Sequence, residues 1–270
     1  MSRKMVLVDT PKCTGCKACT VACKEWNDLP GEKTQLVTSY QTMKDFTPKT
    51  WTYVTFTEKY EDQKMNWMMR KAQCFHCEEP ACLKACSSNA ITKNENGNVV
   101  IDQNLCIGCG YCVDNCPFSV PKLDAETKKA YKCTGCVDRV ENGLAPLCVQ
   151  TCQPSCLEFG ERDALLPKAK ERLAVVQKTY PRARIYGETE MGGTGFVYIL
   201  LDAPEVYGLP VNPTTPLSLT LWKDVVRPVG GVAVGAAGAA VVVGVLANLL
   251  RGSYGKAAQE DKELEKGGKH

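Results

Sequence analysis

The stretch Cys106-Ile-Gly-Cys109-Gly-Tyr-Cys112-Val-Asp-Asn-Cys116-Pro117 decides how the chain is read. Its spacing, C-x2-C-x2-C-x3-C-P, puts three thiols within seven residues, enough to wrap three corners of one cubane iron–sulfur cluster. The fourth thiol precedes a proline that redirects the chain, so Cys116 is carried toward a neighbouring cube. One such run therefore requires a second.

Three more runs lie around it. Upstream, Cys74-Phe-His-Cys77-Glu-Glu-Pro-Ala-Cys82-Leu-Lys-Ala-Cys86 has x4 in its middle, and the turn Asn94-Glu-Asn-Gly-Asn98 with the strand Val99-Val-Ile-Asp102 joins it to the first. Nearer the N-terminus, Cys13-Thr-Gly-Cys16-Lys-Ala-Cys19-Thr-Val-Ala-Cys23 repeats x2, x2, x3, with Lys24 where proline would stand and Gly15 expected to let backbone pass close to a cube. Downstream, Cys133-Thr-Gly-Cys136 is separated from Cys148-Val-Gln-Thr-Cys152 by eleven residues, Val137 to Leu147, read as a longer loop and contact surface.

If each fourth cysteine crosses to the partner cube, the inner runs pair as Cys74, Cys77, Cys82 with Cys116, and Cys106, Cys109, Cys112 with Cys86. The outer runs pair as Cys13, Cys16, Cys19 with Cys152, and Cys133, Cys136, Cys148 with Cys23. Sixteen cysteines are thereby assigned as iron ligands of four [4Fe-4S] clusters. Cys156, one helical turn beyond Cys152, is left as a buried free thiol or a replacement for Cys152.

Seventeen cysteines in 270 residues could instead form disulfides or bind zinc. Cysteines three apart in tight runs surround a metal better than they reach distant partners. Structural zinc sites join two Cys-x2-Cys pairs across a loop rather than setting three cysteines in succession. A membrane-tethered zinc scaffold is nevertheless the rival of a different class, and metal analysis separates the two. The two histidines, His76 and His270, cannot build a catalytic constellation; His76 reads as a hydrogen-bonding or packing residue beside a cluster. Net charge is +3 with neutral thiols, no basic run of nucleic-acid type stands outside the tail, and nucleic-acid binding has no support.

Run, hairpin, run is the layout of a two-cluster ferredoxin. The fold expected is α+β, two ferredoxin-like (βαβ-type) domains binding four clusters, plus one C-terminal transmembrane helix. Residues 1–30 and 121–160 make the outer domain, 72–120 the inserted one, and 31–71 a β-hairpin insertion built on Trp51–Tyr60 and Met65–Arg70. Residues 161–224 form an extension. It comprises a helix over Glu161–Thr179, strands at Ala183–Tyr186 and Phe196–Leu201, a structural turn at Gly192-Gly193-Thr-Gly195, and a proline-rich linker over Val206–Leu219. Met5–Asp9 is a buried strand. Aromatics of the insertion (Trp51, Tyr53, Phe56, Trp67) read as packing rather than as an electron path.

Residues 225–251 contain the membrane segment. Val229 to Leu250 is 22 residues without a charge, about 33 Å of helix against a hydrocarbon core of about 30 Å. Its Gly231-x3-Gly235 and Ala240-x3-Gly244 faces suit close packing against another membrane helix, and Trp222 suits the interface. Lys223 and Arg227 precede it, while Arg251, Lys256, Lys262 and Lys266 follow, which orients the tail, 252–270, to the cytoplasm and the cluster domains to the periplasmic or outer side. The start Met-Ser-Arg-Lys-Met has no signal-peptide core, so those domains are expected to cross folded, carried by a partner with the export signal.

With these features in place the chain resembles the iron–sulfur (β) subunits of membrane-bound respiratory formate dehydrogenases over nearly its whole length. The stretches that carry the resemblance are Ala22-Cys-Lys-Glu-Trp-Asn-Asp-Leu29, Cys74-Phe-His-Cys-Glu-Glu-Pro80, Cys106-Ile-Gly-Cys-Gly-Tyr-Cys112, Tyr131-Lys-Cys-Thr-Gly-Cys-Val-Asp-Arg139 and Leu221-Trp-Lys223. The resemblance implies a non-catalytic electron-transfer subunit in the cytoplasmic membrane. Its partners would be a molybdenum- or tungsten-pterin catalytic subunit and a membrane cytochrome b that reduces quinone. Multi-cluster spacing is shared with subunits of other molybdopterin reductases and membrane hydrogenases, which stay open as alternatives. Ser87 and Gln153 stand where the family often has proline after the fourth cysteine, and Lys24 departs likewise.

Overall fold

The computed structural model describes residues 3–35, 40–61, 63–226, 241–243 and 246. In chain order the elements are β1 (Lys4–Asp9), α1 (Ala18–Trp26), the hairpin β2 and β3 (Tyr53–Glu61, Lys64–Ala72), α2 (Ala81–Ala85), β4 and β5 (Ile91–Lys93, Val99–Ile101) and α3 (Tyr111–Asp114). They continue with β6 and β7 (Lys122–Leu123, Ala130–Tyr131), α4 (Val137–Glu141), α5 (Leu147–Gln150), β8 (Leu157–Glu161), α6 (Arg162–Gln177), β9 (Arg184–Tyr186) and β10 (Phe196–Leu200).

The four-stranded sheet is ordered β8-β1-β10-β9. β1 runs parallel to β10 and antiparallel to β8, and β9 closes the other edge antiparallel. Phe-Val-Tyr-Ile-Leu in β10 has no polar alternation because both of its faces are covered. Met5, Leu7, Val197 and Ile199 pack on Leu165, Ala169 and Val176 of α6. On the opposite face, Val6, Val8, Phe196, Tyr198 and Leu200 pack on Phe75, Cys148, Cys156 and Leu157, so the back of the cysteine region is part of the sheet's core. The loop at Val206–Leu219, read as a linker, contributes to that core: Tyr207 and Leu209 are buried, and the Tyr207 hydroxyl accepts the Leu201 N–H at 3.1 Å.

The Gly192–Gly195 turn has a specific task. Glu78 and Glu79, the two residues that lengthen the second run, donate backbone N–H groups to Gly193 and Met191 carbonyls at 2.8 and 2.9 Å. A Cβ on Gly195 would stand 3.0 Å from the His76 Cβ. The turn is thus a clasp that fastens the second cysteine run to the sheet.

Met1–Pro216 and Leu217–His270 are two compact units. In the second, α7 (Leu217–Leu221) leads into one π-helical turn, Trp222–Val226. Among the described residues no helix is long and apolar enough to cross a membrane. The segment expected to do so, Val229–Leu250, lies outside the described residues apart from 241–243 and 246, as does the charged tail.

Candidate metal centres

The cysteines gather into four groups, labelled A to D. Cys13, Cys16, Cys19 and Cys152 line one cavity (A). Cys74, Cys77, Cys82 and Cys116 line another (C). Cys86, Cys106, Cys109 and Cys112 line a third (D). Cys23 faces Cys133, Cys136 and Cys148, close enough for each charge to oppose the next (B). Every run therefore gives three thiols to one group and its fourth to another. Cys156 joins group A without displacing Cys152: both line the cavity.

The groups stand in the order A–B–C–D. Cys19 and Cys23 ride on α1, which packs against α5 bearing Cys148. Cys74 and Cys133 share a small core with Val120. Cys82, Cys86 and Cys112 share another. Each end has one exposed thiol, Cys16 in A and Cys109 in D, whereas no thiol of B or C is exposed.

A repeated backbone device aims the thiols. The residue before the second cysteine of each run is left-handed: Gly15 (φ +66°), His76 (+48°), Gly108 (+69°) and Gly135 (+70°). Three residues after the fourth cysteine the chain turns left-handed again at Asn89, Ser119 and Ser155. Pro117 is thus dispensable to that exit, since Ser87 and Gln153 give the same turn. The first run is the exception: with Lys24 after Cys23, α1 continues to Trp26. At Gly15 the crowding comes from the β2–β3 hairpin, where an added Cβ would lie 2.7 Å from both Met69 Sδ and Phe56 Cε1. Phe56 of the hairpin packs over this run, with Lys17 Nζ 5.3 Å from its ring centre. The insertion Val137–Leu147, expected as a loop, begins with helix α4.

His76 occupies the position that glycine fills in the other runs. Its Nδ1 accepts the Val99 N–H at 2.9 Å, which places the proton of the neutral ring on Nε2. Burial and then the nearby Lys132, Arg3 and Lys71 charges hold its pKa well below the usual histidine range. It is a structural side chain tying the second run to β5.

Backbone N–H groups of His76 and Gly135 donate to Cys74 and Cys133 sulfurs at 3.5 and 3.3 Å, and Ala130 to Cys106 at 3.5 Å. Such bonds favour the ionised sulfur. Burial, and then neighbouring thiols, act the other way: Cys82 and Cys136 are pushed up to about 12, Cys112 to about 11. Cys13, by contrast, is drawn down to about 7, chiefly by its hydrogen bond from Cys156. Four buried sulfurs that repel one another's charge need a polycationic core among them.

An iron–sulfur cube meets that need. All seventeen cysteines are free, so disulfides play no part. A tetrahedral zinc about 2.3 Å from each sulfur requires the sulfurs to converge on a point. The thiols of A, C and D ring cavities.

Two side chains of these centres carry no motif. Lys71 lines the cavity of A and Lys132 that of C, both buried. Burial opposes the Lys71 charge, but Cys148, Cys19 and Cys133 outweigh it and hold its pKa above the ordinary lysine value. Lys132 is held up in the same way by Cys74, Cys82 and Cys133. The only hint in the sequence is position: Lys132 directly precedes a cysteine run, and Lys71 falls on the same strand face as Met69.

Two matches to the 4Fe-4S dicluster domain family cover residues 12–90 and 65–162. The formate dehydrogenase iron-sulfur subunit of Haemophilus influenzae is 44% identical over 235 residues, 85% of this chain and 75% of its own length. The chain belongs to the formate dehydrogenase iron–sulfur subunit family. The nitrate-inducible formate dehydrogenase iron-sulfur subunit of Escherichia coli is likewise 44% identical, over 82% of this chain and 77% of its own. A subunit of the anaerobic dimethyl sulfoxide reductase of Escherichia coli is 37% identical over 65% of this chain and 81% of its own, so the likeness extends to a second oxidoreductase.

Proposed function

We propose that the chain is the electron-transfer subunit of a membrane-bound formate dehydrogenase complex. It would pass electrons from a molybdenum- or tungsten-pterin catalytic subunit, through four [4Fe-4S] clusters at A to D, to a membrane cytochrome b or quinone site. The observation that carries this reading is the line A–B–C–D with one exposed thiol at each end and none within. A wire needs two mouths and an insulated middle. Bound clusters supply reversible one-electron chemistry, with potentials set by hydrogen bonds and exposure.

The residues of the chain do the rest. Sixteen cysteines hold iron, the crossed fourth cysteines (Cys23, Cys152, Cys86 and Cys116) lock neighbouring sites together, and the sheet face at Phe196, Tyr198 and Leu200 keeps water from the back of A and B. The helix proposed for Val229–Leu250 would anchor the chain in the cytoplasmic membrane, clusters outside and tail in the cytoplasm.

The test is purification with the native large subunit, followed by iron analysis and formate-dependent dye reduction. About sixteen iron and sixteen labile sulfide per chain and formate-driven activity are expected. A formate-inert complex containing nickel would refute the assignment. The likeness to a dimethyl sulfoxide reductase subunit favours a second reading, the same wire in another molybdopterin reductase, and a complex that reduces such an acceptor but ignores formate would select it.

A further inference from the structure

The boundary between A and B and the boundary between B and C each hold a buried ammonium group. Lys71 is 3% exposed; it lines the cavity of A with Cys13, Cys19 and Cys152, and its charge also reaches Cys23, Cys136 and Cys148 of B. Its Nζ lies 3.3 Å from Gln73 Oε1 and 5.3 Å from the Phe196 ring centre. Lys132 is 5% exposed and lines the cavity of C with Cys74, Cys77, Cys82 and Cys116. Toward B, its Nζ donates to the Cys133 carbonyl at 3.1 Å, and it also donates to the Val99 carbonyl.

Among the described residues, no carboxylate pairs with either lysine. A buried charge without a counter-ion costs several kcal/mol, so the sulfur sites themselves must be the counter-ions. A fixed cation beside a redox site favours the added electron, and strongly so where water is excluded.

We propose that Lys71 and Lys132 set the reduction potentials of the sites they separate, Lys71 acting on A and B and Lys132 on C and B. Site B lies under both charges and site D under neither. The lysines are positioning residues for the relay: by raising the potential of the buried middle, they keep it from becoming a barrier between the two ends. This inference rests on the four-cluster reading above.

The experiment is a potentiometric titration, followed by electron paramagnetic resonance and spin integration, of the intact complex carrying Lys71→Met, Lys132→Met or both. The unsubstituted complex comes first, because fewer than four one-electron waves would overturn the four-cluster reading whatever the lysines do. Given four waves, Lys71→Met lowers the reduced-to-oxidised ratio at fixed poise by about tenfold (about 59 mV for a one-electron couple) in two of them. Lys132→Met does so in two, one wave is common to both, and the double variant leaves one wave unmoved.

Four unmoved waves, or four moved equally, with iron content intact would overturn the proposal. If the methionine variants lose iron, Lys→Gln and Lys→Arg at the same positions decide. Iron retained only with arginine supports a requirement for charge, and iron lost with arginine as well overturns it. Glutamine variants that keep iron and all four potentials overturn it too.

Discussion

The buried middle and the two open ends of the cysteine array are built from the same run, yet they solve different problems. At B and C no thiol is exposed, burial raises Cys82 and Cys136 to about 12, and buried lysines stand at the boundaries. At the ends, Cys16 and Cys109 reach solvent, and around D the apolar side chains of Leu105, Ile107 and Tyr111 are exposed beside the cysteines of the run. Charge inside the protein has to be balanced by the protein or its cofactor. At an exit, solvent does part of that work, and the side chains are left free to meet a partner.

The strongest way to break this contrast is to remove the metal. Chelation of iron under reducing conditions should abolish near-UV circular dichroism and cooperative unfolding, because cysteines are three of the seven buried residues in the core around C and D and two of the three in the core between B and C. An apo protein that melts cooperatively near the holo temperature would show that the metal is not needed to hold the middle.

Next in size is a pair of glycines. At Gly108 a Cβ would stand 1.7 Å from the Lys128 carbonyl oxygen, whereas at Gly143, with a similar positive φ of 74°, it would meet nothing within 4 Å. Gly143→Ala should cost about 1 kcal/mol from the left-handed backbone alone. Gly108→Ala should cost more than twice that in urea melts and should lower occupancy of D selectively. Equal costs would mean that the loops around D yield freely.

Smaller still is the difference in access. A mild oxidant should bleach the end clusters before those at B and C, and Phe56→Ala, which uncovers the first run, should speed loss at A while leaving D unchanged. Loss from all four sites at one rate would end the distinction between open ends and insulated middle.

How far these features were legible differs by residue. Cysteine spacing encodes local wrapping, three thiols to a loop, whereas the destination of each fourth cysteine rests on the chain's need to leave that loop. The hairpin of β2 and β3 and helix α6 announced themselves by composition and period. The pairing of β1 with β10 could not be read, because a continuous apolar strand declares burial on two faces without naming its neighbour. Prolines broke the pattern around Tyr207 and Leu209 and disguised core residues as a linker. His76 in a glycine position, and Lys71 and Lys132 inside the array, depend on contacts with Val99, Phe196 and other residues far away in the chain, which no local spacing records.

The most direct test of the account is Cys116→Ser in the intact complex, with iron analysis and Mössbauer or electron paramagnetic resonance assignment of what remains. Iron should fall from about sixteen to about twelve per chain, with loss of the cluster at Cys74, Cys77 and Cys82 and retention of the one at Cys106, Cys109 and Cys112. Loss of the Cys106 cluster alone would contradict the crossed arrangement, and with it the order A–B–C–D.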